Sequence, residues 1–333
     1  MVSPELSAKF ASEGIKTLSE KKGCQLFLQE ICSGDPSMPA VIIGEEPLSF
    51  SKLMKDPDSD HLPDPEIFVD ASTHPYLESH TINDRVVIPM VMVNEWIHRL
   101  SSRLYPGFPF CEVRDLRVFK GLIVGDYFGK GNLFRISAAL QESDDLEVKM
   151  LFTIKNAEGQ LCYTARVSVK KEDTIALPDD VSKIPAEQAR TVEPQYGGSL
   201  FHGPDFQVIR GLEQLDKAGG AAVLNGLQKM AWKSEDWQTD PAVFDGGLQL
   251  AVLWSEKVLG GSSLPTEISR VRSWVRKPAT GPVRCFLKAR GVKSSSAVSD
   301  MYFVDQDHQL VAALEGVETH LRPDSMASQQ GRG

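Results

Sequence analysis

Hydrophobic and polar positions change rhythm along this chain. Over residues 1 to 33, apolar side chains recur at roughly helical spacing through GIKTLSEKKGCQLFLQEICSG, and Gly34 stops the pattern as a C-terminal cap does. AVIIGEE then reads as one short strand, and DPDSDHLPDPE, rich in Asp and Pro, as a linker. From about residue 66 the alternation of strands takes over, broken by two long apolar segments. MVMVNEWIHRLSSRLY is apolar round most of its circumference; Pro89 suits its first helical position, where no amide donor is needed, and Gly107 and Pro109 end it. DPAVFDGGLQLAVLWSEKVLGG has Asp240 as N-cap, Pro241 next, and Gly260-Gly261 as its stop. Helices apolar nearly all round belong in a core.

The two segments head two similar halves. EVRDLRVFKG (112 to 121) resembles EISRVRSWVRK (267 to 277), FTIKNAEGQLCYTARVSVK (152 to 170) resembles YFVDQDHQLVAALEGVETH (302 to 320), and Pro89 answers Pro241, all at offsets of about 150 residues and in the same order. Each half is one long helix followed by alternating strands, with NAEGQ and DQDHQ as hairpin turns. A long antiparallel sheet wrapped round one helix is a hot-dog fold, so the expected class is α+β, a double hot-dog. Its halves are expected over residues 61–190 and 191–322, with a flexible tail at 323–333 and an appendage with linker at 1–60.

Composition narrows the function. The formal net charge of −9 leaves no basic stripe to replace counterions along a phosphate backbone, which excludes nucleic acid as the expected partner. The five cysteines are scattered without a CxxC pair and read as reduced thiols of a cytoplasmic protein. No signal peptide is evident and every apolar run is too short to span a bilayer, so no membrane association is expected.

Candidate chemistry rests on few residues. Asp245 and Gln249, four apart, share one face of a helix that is otherwise apolar, where an unpartnered carboxylate is costly. Spacing leaves two readings open: a structural aspartate bonded to backbone, or a general acid whose pKa is raised by burial. His80, just upstream of the other buried helix in HPYLESHTINDRVVIPM, is the complementary base if the halves pack as a pseudo-dimer. The amide of Met90, at the helix start, is placed to hold a carbonyl oxygen as negative charge builds there. His74 reads as scaffold beside Pro75, and His98 as a satisfied core histidine. The six-residue spacing of His74 and His80 does not match a helical zinc pair, so no metal is expected. Cys111 and Cys162 lie in apolar strands without a cue for thiolate activation, and GDYFGKG precedes a strand, unlike a phosphate-binding loop.

Four segments also resemble a known family. HTINDRVVIP follows the HxxxGxxxxP motif of the dehydratase domains of modular polyketide and polyunsaturated-fatty-acid synthases; LFHGPDFQ is similar to their YGPxFQ motif, DPAVFDGGLQ to DxxxQ and LPTEISRVR to LPxxxxxxR. The resemblance covers about residues 66 to 322. It implies His80 as base, Asp245 as acid, Gln249 orienting Asp245, Met90, His202 and Gly203 orienting substrate, and Arg272 meeting the carrier or the pantetheine phosphate. The implied reaction is dehydration of a β-hydroxyacyl thioester to the enoyl thioester, without a cofactor of its own, the substrate riding on the phosphopantetheine arm of an acyl carrier protein. Implied partners are that carrier and the other domains of a parent synthase, with dimerisation as a further implication. GCQLFLQEICSG followed by AVIIG is similar to the end of a ketoreductase domain, and IPMVMVNEW favours the fatty-acid type of parent over the enediyne type. Three departures stand out: Asp84 for the motif glycine, Met90 for a glycine after the proline, and His202 for tyrosine. Asp84, if close to His80, is expected to raise its pKa. The rival readings are an inactive or acyl-binding dehydratase relative, and a hot-dog thioesterase.

Overall fold

The computed structural model describes residues 65–171, 191–230, 232, 237–275 and 277–322. The appendage and linker expected at 1–60 and the tail expected at 323–333 lie outside the described residues. The first half runs β1 (Glu66–Val69), β2 (Thr81–Ile82), β3 (Arg85–Val87), α1 (Met90–Leu104), β4 (Phe110–Val118), β5 (Ile123–Val124), β6 (Asn132–Ser143), β7 (Glu147–Lys155) and β8 (Leu161–Lys170). The second runs β9 (Ile209–Asp216), β10 (Gly219–Leu224), α2 (Pro241–Leu259), β11 (Ser263–Ser273), β12 (Val283–Val292), β13 (Ser296–Val304) and β14 (Leu310–Leu321).

An 11-stranded sheet has the order β1-β6-β7-β8-β4-β11-β14-β13-β12-β10-β9, while β2, β3 and β5 form a small sheet of their own. Read outward from its centre, β4-β8-β7-β6-β1 on one side answers β11-β14-β13-β12-β10 on the other. The two segments whose sequences resemble each other are thus the two central strands, and they pair antiparallel, Val271 opposite Val113 and Arg270 opposite Arg114. Two facing arginines would repel. Glu112 resolves this by accepting from both Arg114 and Arg270, and Arg117 meets Glu267 at 3.0 Å along the same seam. The double hot-dog class expected from the repeat is the observed architecture.

Local rules account for the matching turns. Asn156 and Asp305 each open a hairpin by accepting, through the side chain, the amide four residues on, Gln160 at 2.8 Å and Gln309 at 2.9 Å. The left-handed positions of these turns are Gly159 and His308. Helix α2 starts as expected: Asp240 accepts from the amide of Val243 at 3.0 Å, Pro241 follows, and Gly260 ends the helix at φ 75°. Helix α1 starts one residue later than expected, with Pro89 as its cap rather than its first residue.

Both helices are buried. α2 packs against every strand of its own half, β9 through β14, with Trp254 sealed at its centre. The side chains of Leu224 and Phe303 lie where a Cβ on Gly246 or Gly247 would stand, so these glycines let the helix close on the sheet just after Asp245. The two helices also touch, and Glu95 of α1 fixes that contact. Its fully buried carboxylate accepts from the Gln238 and Thr239 amides at 2.8 and 2.9 Å, from the Thr239 hydroxyl and from Arg99, tying α1 to the segment that leads into α2.

Candidate active site

His80 ends the turn Pro75–Ser79 and is followed at once by the β2–β3 hairpin. The hairpin folds back so that its ring Nδ1 meets the carbonyl of Val87 at 2.7 Å, while the Val87 amide donates to the His80 carbonyl at 3.1 Å. A carbonyl can only accept, so Nδ1 carries the proton and Nε2 keeps its lone pair. Burial pushes the imidazole down to about 4, against the opposing pull of the Val87 hydrogen bond, which leaves it neutral near pH 7.

Asp84 does not act as expected. Asn83 and Asp84 occupy the tip of this hairpin at φ 51° and 59°, exposed to solvent. Two successive left-handed residues are what a two-residue hairpin turn demands, and Asn and Asp tolerate that region better than other side chains with a Cβ. Asp84 replaces glycine for a backbone reason. It supplies no part of the shift at His80, whose causes are burial and backbone hydrogen bonds.

Asp245 sits one turn into α2, buried, and burial raises its carboxyl to about 7, with the Gln249 hydrogen bond pulling the other way. Gln249, the next residue along that face, donates from Nε2 to Asp245 Oδ2 at 2.7 Å and to the Phe206 carbonyl at 2.7 Å. Its Oε1 accepts from the Tyr196 hydroxyl at 3.0 Å, and that hydroxyl accepts from the Ile209 amide at 3.2 Å. Every polar atom of the amide is therefore assigned, so its orientation is fixed and with it the oxygen of Asp245. Tyr196 was not anticipated from the sequence. It lies in QYGGS, which carries only turn signals. Burial and the nearby Asp245 push its phenol up, so it remains a donor.

His202 reaches the same place from the second half. Its ring stacks on Phe201 at 4.2 Å, lies 5.3 Å from the ring of His80, and brings Nε2 to 3.7 Å from Asp245 Oδ2. Burial, and then the charge His80 would carry, hold it well below the usual histidine range. With the imidazole neutral and the carboxyl raised, this contact is not an ion pair, and 3.7 Å is too long for a hydrogen bond. Gly203, expected to orient substrate, instead joins the halves. Its amide donates to the Ser79 carbonyl at 2.7 Å, and a Cβ on it would stand 3.0 Å from Ser79 Cα. The Ser79 hydroxyl donates to Asp205 at 3.0 Å and accepts from its amide at 3.2 Å. The residue beside the candidate base is thereby clamped to the HGPDF turn, which Trp232 braces by donating to the Asp205 carbonyl at 2.8 Å.

His80, His202, Asp245 and Gln249 line a cavity of about 220 Å³ whose remaining walls are largely apolar, among them Ile88, Pro89, Met90, Leu248, Val252 and Leu264. One ring nitrogen of His80, one of His202 and one carboxylate oxygen of Asp245 all lie within 4.8 Å of one another. Met90 is the first residue of α1, so its amide is among those that no helical carbonyl can satisfy. The structure does not bring Arg272 to this lining. It is buried in the central strand β11, paired with Glu315 and lying over the Trp274 ring at 5.2 Å, so it is not a solvated strand residue either. His74 is scaffold, its ring against Tyr76 and Trp96. His98 donates from Nδ1 to the Asn94 carbonyl within its own helix at 2.9 Å and stands beside Cys111 on β4; both are buried and neither lines the cavity.

Residues 176–325 match the family described as polyketide synthase dehydratase N-terminal domain; in this chain the match falls on the second half, which carries Asp245 and Gln249. A polyunsaturated fatty acid synthase polypeptide of Thraustochytrium sp. is 24% identical over 284 residues, 81% of this chain and 10% of that protein, so the chain spans about a tenth of that relative's length. The dehydratase domain from the CurF module of curacin polyketide synthase superposes with a TM-score of 0.64 at 14% identity, over 79% of this chain and 94% of that one. The dehydratase of the CurK module, in a form described as an inactive mutant with phenylalanine for a histidine, gives a TM-score of 0.62 at 15% identity, over 81% and 96%. A CurK form with asparagine for an aspartate is likewise described as an inactive mutant.

Proposed function

We propose that this chain, which belongs with the dehydratase domains of polyketide and polyunsaturated-fatty-acid synthases, removes water from a β-hydroxyacyl thioester carried on the phosphopantetheine arm of an acyl carrier protein. The product is the α,β-unsaturated thioester. The observation that carries this reading is the approach of a His80 ring nitrogen and an Asp245 carboxyl oxygen within 4.8 Å of each other across a largely apolar cavity, where burial lowers the imidazole to about 4 and raises the carboxyl to about 7. That span suits two groups that must reach adjacent carbons of one substrate.

His80 Nε2 takes the proton from the α-carbon, and the released electron pair forms the double bond to the β-carbon. The bond from the β-carbon to its hydroxyl breaks as Asp245 supplies the proton that turns the leaving group into water. Negative charge building on the thioester carbonyl is held by the Met90 amide, at the positive end of α1. The cycle leaves His80 protonated and Asp245 ionised, and a proton passed back over the short gap between them restores both. Gln249, itself held by Tyr196 and the Phe206 carbonyl, keeps Asp245 aimed at the cavity. The two inactive CurK forms, one altered at a histidine and the other at an aspartate, are consistent with the same division of labour.

Mass spectrometry of a β-hydroxyacyl chain on carrier protein, or on a pantetheine mimic, tests this. Loss of one water by the wild-type protein and not by His80→Ala or Asp245→Asn is expected. Water loss that survives in both variants defeats the assignment, and release of free acid identifies a thioesterase instead.

A further inference from the structure

His202 poses a physical problem that dehydration does not solve. The side chain is 7% exposed, its Nδ1 has no hydrogen-bond partner among the described residues, and its Nε2 stops 3.7 Å short of Asp245 Oδ2, beyond hydrogen-bond reach. A buried imidazole left unpartnered is costly, and buried polar groups in folded proteins almost always have a partner. The ring is stacked on Phe201, and the residue lines the cavity together with His80 and Asp245.

The geometry points to a binding site for a divalent transition cation of the zinc class, with His80, His202 and Asp245 as its ligands. The donor set of two imidazole nitrogens and one carboxylate oxygen, with the cavity as an open fourth position, is one that zinc and its borderline neighbours prefer over magnesium or calcium. Bonds of about 2.1 Å at tetrahedral angles put ligand atoms roughly 3.4 Å apart. The 3.7 Å from His202 Nε2 to Asp245 needs only a small contraction to reach that value, and one ring nitrogen of each histidine and one Asp245 oxygen lie within 4.8 Å of one another.

Two of the three ligands have outer partners that fit, while Nδ1 of His202 has none among the described residues. His80 gives its Nδ1 proton to the Val87 carbonyl at 2.7 Å, which leaves Nε2 as the donor and fixes the ring, the arrangement that metal-bound histidines use. Asp245 is held by Gln249 at Oδ2. Residue spacing could not reveal this set, because its members come from the β2 approach, the HGPDF turn and α2. The cation occupies the lone pair with which His80 would take a proton, so the loaded protein does not dehydrate. The inference therefore goes beyond the proposed reaction and stands independently of it.

Cobalt(II) titration of the full, untagged chain after chelator treatment tests the site without substrate, since Co²⁺ held by nitrogen and oxygen donors in a tetrahedral field absorbs visibly. A saturable band at one Co²⁺ per chain, displaced by Zn²⁺, is expected. His202→Gln, shown by circular dichroism to be folded, is expected to weaken binding by at least about a hundredfold, more than the loss of an outer partner causes. His308→Asn, in an exposed hairpin turn, leaves it unchanged. Absence of the band in the wild type, or its retention in folded His202→Gln and in His80→Asn, overturns the site. Dehydration measured separately in the chelated protein is untouched by either result.

Discussion

Counted from their first residues, α1 places Asn94 and His98 where α2 places Asp245 and Gln249, so each buried helix carries a polar pair one turn apart. Their fates differ. The side-chain amide of Asn94 finds no hydrogen-bond partner among the described residues, and His98 turns back to the Asn94 carbonyl of its own helix. Asp245 and Gln249 instead face a cavity and are held by Tyr196, Phe206 and each other. The helices are alike; their neighbours are not. Over α2 come the His80 hairpin from the other half and the HGPDF turn, clamped together through Gly203 and Ser79. A polar pair on a buried helix becomes a candidate site only where a second element brings a complementary group to it.

The comparison breaks most sharply at the two proposed proton carriers. His80→Ala and Asp245→Asn are each expected to lower kcat for dehydration by about a thousandfold, within the range of general acid–base catalysis. His98→Asn in the other half is expected to leave kcat within about threefold while lowering thermal stability, because it removes buried packing and the hydrogen bond to the Asn94 carbonyl but no part of the cavity. Equal losses of kcat at His98 and His80 would erase the distinction between the halves.

A pH profile sharpens it. The base must be unprotonated and the acid protonated, so kcat/KM of the metal-free protein is expected to be level between about 4, where His80 gains its proton, and about 7, where Asp245 loses its own. Above 7 it falls. Gln249→Leu removes a hydrogen bond that favours the ionised carboxylate, so Asp245 holds its proton to higher pH and the alkaline limb moves upward, with a drop in kcat of about tenfold to a hundredfold. Tyr196→Phe loosens the same chain one link further out, with an expected drop of only about tenfold. A profile unmoved by Gln249→Leu would mean that the amide does not act through Asp245.

The smallest effects concern the clamp. Gly203→Ala forces a methyl group to 3.0 Å from Ser79, and a loss of about 1–3 kcal/mol in chemical denaturation is expected, as for other overpacked sites. Gly198→Ala meets nothing within 4 Å among the described residues and is expected to stay within about 0.5 kcal/mol.

Much of this was legible in the sequence because it is written in local rules. The caps at Asp240 and Gly260, the paired hairpin turns and the repeat of one helix with its strands follow from residues close together in the chain. The candidate pair His80 and Asp245 with its helper Gln249 was legible from burial patterns and motif order. What escaped depends on neighbours distant in sequence. The role of Asp84 follows from hairpin geometry, Tyr196 from a hydroxyl reaching across to α2, and the place of Arg272 from its partner Glu315 on an adjacent strand. Glu95 shows the same limit: a charged residue on a helix invites a surface reading until Thr239 and Arg99 are seen to enclose it.

The antiparallel pairing of β4 with β11 carries one more consequence. The strands that would be outermost in either half alone are innermost in the whole, so each half is completed by the backbone of the other. A chain severed between Lys171 and Thr191 would yield two fragments that each present a bare row of amide and carbonyl groups along a central strand. Such fragments are expected to aggregate when kept apart and to reassemble when mixed, which makes this connection a natural place to divide the protein into a complementing pair.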